Sequence, residues 1–308
     1  MWTKPVAVFK KVEVMKKVFS FVAVSLALIL SASFISCKAP SGGGSNGSGG
    51  GGSIKNNYEV GDIVLNDGSA ISYSAFNTLA EDEKDTIKTS AIALIFYKGA
   101  DLNSDDAEGN ADTKTSRTLG VGLKHNRDIV SWGLMKDYPD RANIFEKDVN
   151  RVRRISTIIC KYKSKGKAFD YSFTGDKNGS DNLEQIAEYL RSIDGVDDDT
   201  ANETHYPAFY YCKNYAVQTA PNIIAESEYV NGWYLPSIAE IYQIYKNGIG
   251  ANKVFDINEA SKNLDGDEFL SYYLTSSIQS EYYKFDFLKK GVTGSTNGET
   301  FICPIREF

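Results

Sequence analysis

Two histidines, four cysteines and a few short runs of acids are the side chains here that could do chemistry. His125 and His205 each stand alone, and no Gly-x-Ser-x-Gly elbow offers a serine nucleophile to pair with them. No cysteines or histidines have the spacing of a zinc site. Two segments are rich in hard oxygen donors of the kind calcium takes, Asp176-Lys-Asn178-Gly-Ser180-Asp181 and Asp197-Asp198-Asp199. Neither completes a calcium-loop pattern, and both read as solvated acidic loops. The long glycine run lacks the Lys and Ser/Thr of a phosphate-binding loop. With no catalytic set, metal site or cofactor motif, the chain reads as a protein that is not an enzyme.

Cys37 has a different chemistry. Lys16 and Lys17 precede an uncharged run, Val18 to Phe34, rich in Val, Leu, Ala and Ile. The run ends in Phe34-Ile35-Ser36-Cys37, which resembles a bacterial lipobox, with Phe34 where leucine is usual. Residues 1–36 are therefore expected to be a signal peptide, with Met15 as a plausible true start, and Cys37 the lipidated residue. An uncleaved anchor is the alternative, since about 20 apolar residues span a bilayer. Residues 37–57 follow as a tether in which Ser41 to Ser53 is only Gly, Ser and one Asn. Such a coil of about 20 residues reaches roughly 25 Å. The expected partner of this end is a membrane, reached through the lipid, with the domain at the cell envelope and facing outward.

Residues 58–308 remain for one ectodomain. The chain is 42% hydrophobic and 12% aromatic, with 19 tyrosines, enough for a substantial core. A net charge of −6 argues against nucleic acid, and the short basic cluster Arg151, Arg153 and Arg154 reads as a solvated face. Val60 to Leu65 reads as a strand ending in the turn Asn66-Asp67-Gly68, and Ala91 to Tyr97 as a strand buried on both sides. Leu119 to Leu123 reads as a further strand. Leu183, Ile186, Ala187, Leu190 and Ile193 share one helical face. Pro207 can open a second helix with Phe209, Cys212 and Ala216 inward, and Ser237 with Glu240 forms a capping box for a third. Tyr283, Phe285 and Phe287 alternate as a strand, as do Phe301, Cys303 and Ile305. Pro304 cannot donate to a ladder, which places that last strand at an edge or a bulge. Strands, then helices, then strands indicate an α+β fold.

Several blocks together resemble a family of C-type-lectin-like domains common in spirochaete lipoproteins. The family is distantly similar to formylglycine-generating enzymes and to retroelement-diversified variable proteins. The blocks are Gly61-Asp62-Ile63-Val64 with Asp67-Gly68-Ser69, Leu119 to Leu123, and Ala208 to Tyr215. Gly232-Trp233-Tyr234-Leu235-Pro236-Ser237 with Glu240 is the most specific; Tyr273 to Ser277 and Ile305 to Phe308 complete the set. The resemblance implies short antiparallel strands with two or three helices, and a disulfide between Cys212 and Cys303. Three free buried thiols, with Cys160, stay open as the alternative. It also puts Leu274-Thr275-Ser276-Ser277 near the ligand surface of the fold. The ligand-contacting residues expected there are Tyr272, Tyr273, Gln279, Glu281, Tyr282 and Tyr283, taking a protein or glycan partner. Tyrosine suits such a surface because it offers area at low entropic cost, although alternation through Tyr283 also permits some of them to fill the core. A structural envelope lipoprotein is the alternative function, and an enzyme of the formylglycine-generating type a remoter one.

Overall fold

A computed structural model of the chain describes residues 57–105, 115–133, 155–192, 203, 206–218, 223–224, 227–278, 282–295 and 300–308. The chain divides into two units, Met1–Gly49 and Gly50–Phe308, and every described residue belongs to the second. The leader, Cys37, the tether up to residue 56, Arg151 to Arg154, Asp197 to Asp199, His205, Gln279 and Glu281 lie outside the described residues.

The first strands, β1 (Asp62–Leu65) and β2 (Ala70–Ser72), form a hairpin. Its turn needs Gly68, whose φ is +82°, and Asp67 Oδ1 accepts from both the backbone N–H and the hydroxyl of Ser69. A short α1 (Tyr73–Phe76) and the solvated α2 (Glu81–Ser90) lead into β3 (Ala91–Gly99). The apolar run of β3 is buried through Tyr97, as its composition predicts. β4 (Arg117–Gly122) pairs with β3, and β5 (Asn126–Val130) leaves for another sheet. A separate hairpin follows, β6 (Cys160–Ser164) with β7 (Tyr171–Gly175). Three helices come next, α3 (Asn182–Arg191), α4 (Pro207–Lys213, opened by its proline) and α5 (Tyr215–Gln218).

After the two-residue strand β8 (Trp233–Tyr234) comes the central helix α6 (Ile238–Gly248). Its capping box is present in full. Glu240 N–H donates to Ser237 Oγ at 3.1 Å, and Ser237 N–H donates to Glu240 Oε2 at 2.8 Å. Every residue from Ile238 to Tyr245 is buried, because the helix is packed against β3 on one side. Its other side meets β9 (Tyr272–Ile278), reached through α7 (Ile257–Asn263), and β10 (Tyr282–Asp286). Three strands close the chain: β11 (Gly291–Ser295), β12 (Thr300–Ile302) and β13 (Ile305–Glu307).

The described fold is thus α+β, with a six-stranded sheet ordered β2-β1-β3-β4-β13-β8 and a five-stranded sheet ordered β11-β10-β9-β12-β5. Pairing is antiparallel except where β12 meets β9. The main core lies around α6 and includes Leu94, Phe96, Val121, Ile241, Ile244, Phe285 and Ile305. A second core holds Trp132, Phe209, Leu274 and Tyr282; a third holds Ile95, Tyr215 and Trp233.

Two strand expectations change. Tyr283, Phe285 and Phe287 do face the main core, but Tyr282 on the opposite face of β10 is equally buried, against the second core. The strand expected from Phe301 to Ile305 is really two. The chain leaves the five-stranded sheet after Ile302 and enters the six-stranded one at Ile305, where β13 is interior, between β4 and β8. Pro304 sits in that switch, where no ladder bond is required of it, and its carbonyl still accepts from Gly122 N–H at 3.0 Å. Neither edge nor bulge is needed.

Candidate functional site

The site is built where β5 ends and α4 begins. Ala208 N–H donates to Ser131 O at 3.2 Å, tying the first turn of α4 to the chain leaving β5. The helical period of α4 turns Phe209 and Cys212 into the core and leaves Tyr210 and Tyr211 half-buried. Beneath them lies an aromatic floor. Trp132 stacks on Tyr282 with centroids 4.7 Å apart, meets Phe209 edge-on at 5.1 Å, and donates from Nε1 to Thr275 O at 2.9 Å. Next in sequence to these rings, a cleft of about 220 Å³ is lined by Asn126, Val130, Ser131, Pro207, Tyr210, Tyr211, Gln218 and Glu203.

The lining combines two phenol rings with two amides, a hydroxyl and an exposed carboxylate. Rings offer an apolar face and amides offer a paired donor and acceptor in one plane, which is what a small polyhydroxylated ring requires. The volume is below the roughly 300–1,000 Å³ of ordinary ligand pockets, so the cleft has room for one small ring at most. None of these residues was singled out from sequence as a contact. A signal existed: with Phe209, Cys212 and Ala216 inward, the paired tyrosines fall on the remaining arc of α4.

None of the described tyrosines expected to contact a ligand lines the cleft itself. Tyr273, Tyr282 and Tyr283 are core residues. Tyr273 OH is 2.8 Å from His125 Nδ1, Tyr282 lies on Trp132, and Tyr283 meets Tyr162 edge-on at 5.4 Å. Of the four described, Tyr272 alone is half-buried, with Lys289 Nζ 5.9 Å from its ring centroid. Leu274, Thr275, Ser276 and Ser277 are fully buried too. Their hydroxyls are occupied within the scaffold: Thr275 Oγ1 donates to Tyr283 O, Ser276 Oγ accepts from Asn182, and Ser277 Oγ accepts from Ile238 N–H. β9 is an interior strand whose residues from Tyr273 to Ile278 are buried, with Tyr272 alone reaching partway to solvent.

Among the described residues no disulfide joins the cysteines. Cys160, Cys212 and Cys303 are free buried thiols, and burial pushes all three well up from the ordinary thiol range. Cys212 and Cys303 are neighbours nonetheless, with Cys212 Sγ directed at Cys303 O at 3.8 Å.

Three buried polar groups carry the electrostatics. Burial opposes the charge of Arg117, but the Glu240 and Glu307 carboxylates outweigh it and hold its pKa above the usual value. Arg117 donates to Glu240 Oε1 at 2.9 Å, to Tyr234 OH at 2.9 Å and to Glu307 Oε2 at 3.1 Å, so β4, β8, α6 and β13 are joined through one guanidinium. His125 is kept neutral, burial lowering its pKa to about 3 against the pull of Asp267. Asp176, in one of the two acidic segments, is buried rather than solvated. Burial raises its pKa to about 7, and the hydrogen bond from Ser104 to Oδ1 only partly offsets this. Among the described residues no group of three His, Cys, Asp or Glu converges for a metal ion. Among them, too, no helix is long and apolar enough to cross a membrane.

No family model, curated protein or solved structure matches this chain, so the arrangement of its own residues carries the functional argument.

Proposed function

We propose that the chain is a lipid-anchored binding protein, held to the cell envelope through Cys37 and presenting a C-type-lectin-like domain to a glycan-bearing partner. The observation that carries this reading is the cleft between β5 and α4, with Tyr210 and Tyr211 set among Asn126, Ser131, Gln218 and Glu203. The lipobox-like Phe34 to Cys37 and the Gly/Ser tether support the anchoring. A rigid floor helps such a site, because Trp132, Phe209 and Tyr282 are locked by one another and hold α4 in place without a ligand.

A glycan array probed with the full chain tests this. Binding to a defined saccharide set, reduced on the order of tenfold or more in Tyr210→Ala and in Gln218→Ala, is the expected result. Binding that survives both substitutions would move the ligand out of the cleft. An array with no binding at all would remove the glycan reading and leave the structural envelope role.

A further inference from the structure

Four of the six exposed large apolar side chains among the described residues belong to the β6–β7 hairpin or to the flanks of β9 and β10. Leu288 is 65% exposed, Leu270 49%, Phe169 40% and Tyr162 38%. Their placement follows from register. The β6–β7 hairpin runs alongside β10: Tyr162 meets Tyr283 near the start of that strand, at 5.4 Å. The hairpin's last pair, Ser164 with Tyr171, lies at the other end, where a Cβ on Gly291 would sit 3.3 Å from Tyr171 OH. Gly291 is itself the last β11 residue before the β10–β11 turn, paired with Asp286. The tip of one hairpin and the turn of the other therefore emerge side by side. Leu270 joins them, because Phe287 N–H donates to the neighbouring Ser271 O at 3.1 Å.

The charge there opposes that of the whole chain. The hairpin tip carries exposed Lys165 and Lys167, the turn carries exposed Lys289 and Lys290, and Lys161 and Lys163 continue along β6. All of this sits on a chain of net charge −6. The local acids are engaged. Asp286 is buried and accepts from Leu288 and Lys289 N–H at 2.9 Å each, and Asp170 faces Lys165 at 3.9 Å. Each tip also holds a non-glycine residue at positive φ, Phe169 at +63° and Lys290 at +61°. That conformation is costly for a bulky side chain, and here it accompanies exposure rather than packing.

From these two adjacent tips, each pairing lysines with a protruding apolar side chain, we infer a second binding surface, one that docks on an anionic lipid bilayer. Leucine and phenylalanine enter the headgroup boundary while the surrounding lysines meet the anionic lipids. Charge alone would equally suit a sulfated polysaccharide. Leu288, Leu270 and Phe169 have no role in that alternative, which is why the bilayer is preferred. The inference does not depend on the cleft or on the lipid at Cys37.

Flotation of the full chain with phosphatidylcholine vesicles, with and without phosphatidylglycerol, tests it. The leader, with Lys4, Lys10, Lys11, Lys16 and Lys17, adds the same anionic preference to every variant, so the change in the affinity ratio between variants reads the patch. The expected preference for anionic vesicles is on the order of tenfold or more, falling on the order of tenfold in Lys165→Glu with Lys289→Glu. The same reversal on α2, Lys84→Glu with Lys88→Glu, should leave the ratio in place, since it changes the net charge equally on a helix outside the patch with no fully buried residue. Phe169→Asn with Leu288→Ser, where asparagine tolerates the positive φ, should weaken binding to anionic vesicles. Equal binding to both vesicle types overturns the inference, as does equal loss in the α2 control. Binding to a sulfated polysaccharide that is indifferent to the Phe169 and Leu288 changes, without vesicle preference, overturns it in favour of that ligand.

Discussion

Asp176 and His125 are two buried ionisable groups whose contributions to stability slope in opposite directions with pH. His125 titrates near 3 when folded and near 6.5 when unfolded. Between those values the unfolded chain binds the extra proton, and stability rises with pH. Asp176 titrates near 7 when folded and 3.8 when unfolded, so between those values the native state holds the extra proton, and stability falls as pH rises. Its Oδ2 has no hydrogen-bond donor, and neither does the neighbouring Asn182 Oδ1. Asp176→Asn keeps an acceptor for Ser104 and turns the other oxygen into a donor. We expect the variant to gain roughly 1–3 kcal/mol at pH 8. Of these two slopes only that of His125 would remain, so its stability should climb from pH 4 to pH 7. Urea unfolding at pH 4, 7 and 8 checks both statements, and a variant less stable than wild type at pH 8 would contradict them.

Ser237 shows the same economy at the level of an element. Its hydroxyl accepts from Glu240 N–H and donates to Lys177 O at 2.7 Å, so one side chain starts α6 and fastens the segment after β7 to it. Ser237→Ala should cost about 1–2 kcal/mol, seen as a lower urea midpoint with an unchanged slope, while Thr should retain most of the stability. This helix was legible in the sequence because the capping box and the 3.6-residue stripe are both local. So were the β1–β2 hairpin, the proline start of α4 and the apolar run of β3. What the sequence hid was non-local. Nothing near Tyr273 or Ser276 says that both faces of β9 are covered; that depends on α6 and α3, far away in the chain. The β6–β7 hairpin was missed because Lys161 to Lys167 alternates without an apolar face. Arg117 was missed because its partners Glu240 and Glu307 are more than a hundred residues distant. The candidate cleft was half legible: α4 and its inward face could be read, but its partner, the end of β5, could not.

For the whole molecule, the cleft beside β5 and the basic tips beyond β10 lie at separate places on the five-stranded sheet, so binding a ligand and resting on a lipid surface need not compete. If Cys37 anchors the chain facing outward, protease added to intact cells should release the folded domain by cutting between Ser41 and Asn57. Protection until the envelope is opened would place the domain inside. The passage of Thr300–Glu307 from one sheet to the other has a further consequence, one for synthesis. β12 lies between β9 and β5, and β13 between β4 and β8. Both sheets are therefore missing an interior strand until this stretch of chain has been made. A chain growing from its N-terminus cannot complete either layer before Thr300–Glu307 has been made, so the two sheets are closed by one and the same stretch.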